Sequence, residues 1–186
     1  MAYVFDPDGL GACAAAGAGK PIEEAFDLVT ADLASRYPRW IDTGPRRWIF
    51  SNAGGAMGQL TLLHASLREY LIFFGSPIGT EGHSGRYRTG VYDWMLAGEM
   101  WCYLEGETGK RVYRPGDLAF LGPGQTKGYR LPEGGWMLEY ARGPIPGMLP
   151  FGLADAFVST LDYSAACRTL ATYGRLTVKS LLKGKL

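Results

Sequence analysis

The chain has 186 residues, of which 47% are hydrophobic, and a formal net charge of +1. This is the length of one domain, with enough apolar content for a full core. Its 19 basic and 18 acidic residues nearly balance, so composition offers no electrostatic footprint for nucleic acid. Cys13, Cys102 and Cys167 are odd in number and fall in no pattern. They suit a reducing compartment and are expected as small core thiols, neither a disulfide framework nor a metal set.

Met1 to Lys20 is rich in alanine and glycine, carries Asp6 and Asp8, and reads as an irregular arm. It lacks the charged start and long apolar run of a secretory signal. No stretch reaches the ~20 apolar residues of a membrane-spanning helix. A cytoplasmic or peripheral membrane protein without an anchor is expected. Pro21 opens a helix, with Glu23 and Glu24 in its favourable first turn. Ile22, Phe26, Val29 and Leu33 recur at helical spacing until Pro38 stops the pattern. Residues 1–47 thus form an arm, one amphipathic helix and a linker around Gly44 and Pro45.

From Trp48 to Gly143, glycine turns alternate with short runs of aromatic and branched residues. Regular turn spacing of this kind suggests an all-β barrel or sandwich. Residues 144–186 change character. Three prolines (Pro144, Pro146, Pro150) lead into an apolar run from Phe151 to Val158, and a break at Asp162 precedes a second helical segment. After Asp162 come Arg168, Arg175, Lys179, Lys183 and Lys185 and no acid, while Leu170, Tyr173, Leu176 and Leu181 can share a face. Such a segment reads either as a membrane-surface element or as a cap packed on the barrel.

P-loop, GxSxG, HExxH and CxxC motifs are absent, and the histidines, His64 and His83, make no metal set by themselves. Two acids stand out. Asp93 lies between aromatic residues in Val91–Leu96 (VYDWML), and Glu139 lies in Trp136–Tyr140 (WMLEY). Alternation on a strand leaves either acid free to face solvent. Burial would require pairing or neutrality.

The literal motifs go further. Asn52–Gly58 (NAGGAMG), Leu63–Ser66 (LHAS) with Glu69 and Tyr70, and Gly82–Gly85 (GHSG) are followed by Tyr113–Gly116 (YRPG), WMLEY, Gly143–Pro146 (GPIP) and Leu149–Asp155 (LPFGLAD). This collinear run, covering about two-thirds of the chain, closely resembles the family of the fungal Δ8–Δ7 sterol isomerases and the sigma-1 receptor. The resemblance implies a mainly β fold, a cupin-like barrel with one N-terminal helix and two C-terminal helices that cover it and lie on a bilayer. It also implies a homotrimer and a barrel without metal or cofactor. Asp93 and Glu139 match ligand-binding acids of the receptor, and Glu139 also matches the isomerases, which place their other acid nearer Gly90 and Val91. Tyr70 matches a tyrosine that contacts the glutamate, with Tyr87 near it. Leu60, Leu62, Ile72, Phe74, Met100, Ile145, Leu149 and Tyr173 would line the substrate-binding wall. Ala56 stands where the receptor has tryptophan.

Two carboxyls sharing a low-dielectric cavity cannot both ionise easily, so one keeps a proton. A neutral acid could protonate an alkene while its neighbour steadies the carbocation and removes another proton. The leading expectation is therefore an isomerase of a sterol or related polycyclic isoprenoid, with hydrophobic amines as inhibitors. The alternatives are a metal-independent isoprenoid cyclase and a non-catalytic binder of cationic amphiphiles.

Overall fold

The computed structural model describes residues 3–185. The barrel lies where turn spacing puts it, with helices at both ends. The N-terminal part, however, contains two helices rather than an arm and one helix: α1 spans Pro7–Gly17 and α2 Ile22–Arg36. Asp6 caps α1 by accepting a hydrogen bond from the Gly9 amide at 2.7 Å, with Pro7 in its first turn. Alanine and glycine leave α1 without a strong apolar stripe, but they let it approach closely. A Cβ on Gly17 would lie 2.7 Å from the Val29 side chain on α2, and one on Gly11 would lie 3.0 Å from the Trp94 indole.

Ten strands follow: β1 (Ile49–Ala53), β2 (Ala56–Ala65), β3 (Glu69–Ser76), β4 (Thr80–His83), β5 (Gly90–Gly98), β6 (Met100–Leu104), β7 (Arg111–Tyr113), β8 (Leu118–Leu121), β9 (Lys127–Leu131) and β10 (Gly135–Arg142). They build a six-stranded sheet, β1-β2-β3-β10-β5-β8, and a four-stranded sheet, β4-β9-β6-β7, with every recorded pairing antiparallel.

The larger sheet is covered on both faces. Leu71, Phe73, Tyr92, Trp94, Leu138 and Tyr140 pack under α1 and α2 with Leu10, Phe26 and Leu33. The alternate residues Ile72, Phe74, Met95 and Met137 form a separate interior cluster with Met100 and Leu131 from the smaller sheet. Because both faces are apolar, the strands show little of the alternation expected of a half-exposed sheet.

After β10, a short 3-10 turn (Ile145–Gly147) leads to α3 (Leu149–Val158) and α4 (Tyr163–Leu182). Helix α3 packs across β1, and α4 across β1 and β2. Tyr173 and Ser180 donate hydrogen bonds to the carbonyls of Ser66 and Ala65 at 3.0 and 2.8 Å. The buried stripe of α4 is Ala165, Ala166, Leu176, Thr177 and Ser180; Tyr173 is half-buried, while Leu170 and Leu181 turn outward. The basic residues do not form a free stripe. Arg175 and Lys179 pair with Asp42, Lys183 reaches the Arg39 carbonyl, and buried Lys185 meets Glu69 at 3.1 Å. No helix among the described residues is long and apolar enough to cross a membrane. Cys13 and Cys102 are buried free thiols, whereas Cys167 is exposed rather than in the core.

Candidate active site

Between the sheets, under the caps of α3 and α4, lies a cavity lined by all twelve residues picked from the sequence. Tyr70, Ile72 and Phe74 enter it from β3 by the two-residue period of a strand, Leu60 and Leu62 from β2, and Met100 from β6. Tyr87 lies in the loop before β5, with its ring 5.6 Å from that of Phe151 on α3. Ile145, Leu149 and Tyr173 close the upper end.

Asp93 and Glu139 face one another in register, Asp93 on β5 and Glu139 on β10. Directly opposed antiparallel residues project to the same face with Cα atoms about 4.5–5.5 Å apart. Tyr92, Trp94, Leu138 and Tyr140 take the opposite face under α1 and α2, and this parity turns both acids inward. Glu139 keeps some accessible surface as a lining residue; Asp93 is buried.

Tyr70 donates its hydroxyl to Glu139 Oε1 at 2.5 Å. Burial, then the nearby Asp93 charge, raises the Glu139 carboxyl from 4.5 to about 7, partly opposed by the Tyr70 hydrogen bond and the Lys127 charge. Burial, followed by the charge and hydrogen bond of Glu139, pushes the Tyr70 phenol well above its ordinary range. Burial raises Tyr87 and Tyr129 likewise, with the Glu139 charge second. The three phenols therefore keep their protons at neutral pH, Tyr70 as the donor to Glu139 and all three as cavity wall.

The group the sequence reading missed is Lys127. Its Nζ lies 2.5 Å from Asp93 Oδ2, with both side chains buried. Burial would lower the lysine's affinity for its proton, but the Asp93 charge and hydrogen bond overcome it and raise the pKa. Lys127 comes from the smaller sheet, so the ion pair spans the barrel interior. A lysine is normally assigned to the surface. The available signal was parity: along β9, Lys127 and Leu131 are buried, Tyr129 is partly buried, and Arg130 is exposed and pairs with Glu81 at 3.6 Å. Tyr129, Met137 and Phe151 also line the cavity and were not picked out.

His64 lies outside the cavity lining, buried beside Phe5, with Nδ1 donating to the Trp40 carbonyl at 3.0 Å. Burial lowers its pKa. His83 sits on the lining and accepts from the Gly85 amide through Nδ1 at 2.9 Å. Among the described residues, no group of three or more His, Cys, Asp or Glu side chains is placed to hold a metal ion.

The family described as ERG2 and Sigma1 receptor like protein matches residues 1–185. C-8 sterol isomerase ERG2 of Gibberella zeae is 42% identical over 99% of this chain and 79% of its own length. The C-8 sterol isomerase of Neurospora crassa is 51% identical over 74% of this chain and 54% of its own length. Sigma non-opioid intracellular receptor 1 of Danio rerio is 40% identical over 92% of this chain and 78% of its own. Among solved structures, KdgF from Halomonas is 18% identical over 56% of this chain and 92% of its own, with a TM-score of 0.47. An RmlC-like cupin from Shewanella frigidimarina is 20% identical over 56% and 89%, with a TM-score of 0.46. With the family matched over nearly its whole length, this chain belongs to the ERG2 and sigma-1 receptor-like proteins.

Proposed function

We propose that the protein is an acid–base isomerase that shifts a carbon–carbon double bond in a sterol or related polycyclic isoprenoid through a carbocation. The observation that carries this reading is the Asp93–Glu139 pair, opposed in register within an otherwise largely apolar cavity. One carboxyl gives a proton to the alkene; the other steadies the tertiary cation and takes a proton from the neighbouring carbon. Aromatic faces such as Tyr70 and Tyr87 add stabilisation that water, if present, would weaken. The reaction calls for no metal or cofactor. Relatives named C-8 sterol isomerase, 40–51% identical, support the substrate class.

The same cavity suits a protonated hydrophobic amine, which resembles the cation in charge and place. Such amines are expected as inhibitors, and the relatives named sigma receptors make non-catalytic binding the second reading. The proposal extends to a homotrimer, as the resemblance implies, and to a membrane-facing outer surface on α3 and α4. Light scattering on the purified protein decides the assembly.

Incubation with a Δ8 sterol, and separately with linear prenyl substrates, should be followed by gas chromatography and mass spectrometry. A Δ7 product is expected, and Glu139→Gln should lower its rate ~100- to 10,000-fold, as loss of a general acid or base does. Cyclised prenyl products without sterol turnover would instead support the cyclase. No turnover with retained amine binding would support the binding module.

A further inference from the structure

We propose that Lys127 divides the work of the two carboxylates: its ammonium occupies Asp93 Oδ2, which makes Asp93 Oδ1 the proton acceptor and leaves Glu139 as the proton donor. This rests on the isomerase reading and adds to it a positioning cation and a direction of proton flow.

The two acids are equivalent in register but not in their partners. Asp93 Oδ2 is occupied by the Lys127 ammonium at 2.5 Å, whereas Oδ1 is buried and has no hydrogen-bond partner among the described residues. A buried carboxylate oxygen without a donor is costly unless it has a task. As Asp93 lines the cavity, proton abstraction is the task that fits an unsatisfied oxygen. Glu139 faces no cation at salt-bridge distance among the described residues. Its Oε1 receives the Tyr70 hydroxyl, so the proton of the neutral acid belongs on Oε2. After the proton leaves, the same phenol stabilises the carboxylate that remains.

The proton and electron count closes. The alkene π pair forms a C–H bond with the Glu139 proton, leaving a glutamate and a tertiary cation. Asp93 Oδ1 takes a proton from the carbon on the cation's other side, and that C–H pair becomes the new π bond. The proton then returns from Asp93 to Glu139 across the opposed pair, restoring the starting state. Lys127 keeps its charge throughout, with the Met100 sulfur 4.0 Å and the Tyr129 ring centroid 5.8 Å from Nζ.

Lys127 also sets ligand preference. A neutral alkene leaves the ion pair intact, whereas an incoming ammonium competes with Lys127 for Asp93. The native lysine therefore weakens cationic ligands relative to neutral ones.

The test uses the full chain carrying Lys127→Met, Lys127→Gln or Lys127→Arg, with circular dichroism as the folding control. Lys127→Gln keeps a donor to Asp93 without the charge and serves if the Met variant fails to fold. Either neutral variant removes the cation that faces Asp93 Oδ2. Turnover at pH 7 should then fall about tenfold or more. Lys127→Arg keeps the charge and should retain most of the parent's turnover. Affinity for N,N-dimethyldodecylamine at pH 7 should rise about tenfold in the neutral variants, with no change for the alcohol of equal chain length. Unchanged turnover with unchanged amine affinity in the neutral variants overturns the role of Lys127, even where Glu139→Gln has lost turnover and the isomerase reading stands. If the parent turns over no sterol, both readings fall.

Discussion

Glu139 is a carboxyl held in a place that resists its charge. Burial and Asp93 raise it to about 7, above the ordinary 4.5, so the folded state binds its proton more tightly than the unfolded state. The stability that this preference contributes is complete below about pH 4.5 and is lost as pH rises through about 7. Glu139→Gln cannot ionise and avoids that loss. It should be more stable than the parent by about 2–3 kcal/mol at pH 8, from roughly 1.4 kcal/mol per unit with allowance for the partly accessible side chain, and nearly equal at pH 4. Urea unfolding at both pH values reads the difference, and a gain of equal size at pH 4 would count against the ionisation. Turnover by the parent should likewise fall as pH rises through about 7, because the donor is then deprotonated.

Helix α4 changes its meaning once its partners are known. Four of its five downstream basic residues already have partners within the chain: Arg175 and Lys179 share Asp42, Lys183 holds a carbonyl and Lys185 holds Glu69. Alongside exposed polar residues, α3, α4 and the link between them also present apolar side chains outward: Val158, Leu161, Tyr163, Val178 and Leu182 are all more than half exposed. If this face meets a bilayer, adsorption should depend on buried area more than on charge. The pair Val178→Asp and Leu182→Asp should reduce co-flotation with neutral phosphatidylcholine vesicles at least tenfold, and salt should alter the parent's binding little. Binding that survives the double variant but disappears in high salt would return the role to the basic residues.

Both chain ends converge on one buried acid. Glu69, fully buried at the start of β3, accepts the Val4 amide at 2.7 Å and the Tyr140 hydroxyl at 2.7 Å, and pairs with Lys185 at 3.1 Å. The N-terminal segment, the central strands and the C-terminal end are thereby tied at one point, one residue before the cavity tyrosine Tyr70. Glu69→Ala would leave Lys185, the Val4 and Phe5 amides and the Tyr140 hydroxyl without this acceptor. It should cost about 3–5 kcal/mol, the range for breaking a buried pair by removing one partner. Denaturant titration measures it; a cost below about 1 kcal/mol would show that the junction is not needed to hold the ends.

The sequence by itself determined the β core, helix α2 and the C-terminal helical pair, because glycine turns and the Phe26–Val29–Leu33 spacing are local signals. The family resemblance also supplied Asp93, Glu139 and ten further residues among those that line the cavity. Helix α1 escaped because alanine and glycine carry little periodic signal, and its reason for being a helix is close packing on α2 and Trp94. The facing of the two acids was equally invisible, since a strand with apolar residues on both faces reads the same in either parity. Parity along β9 groups Lys127 with Tyr129 and Leu131, but only the tertiary structure decided that it is aimed across the barrel at Asp93, because the anion that makes its burial tolerable belongs to the other sheet.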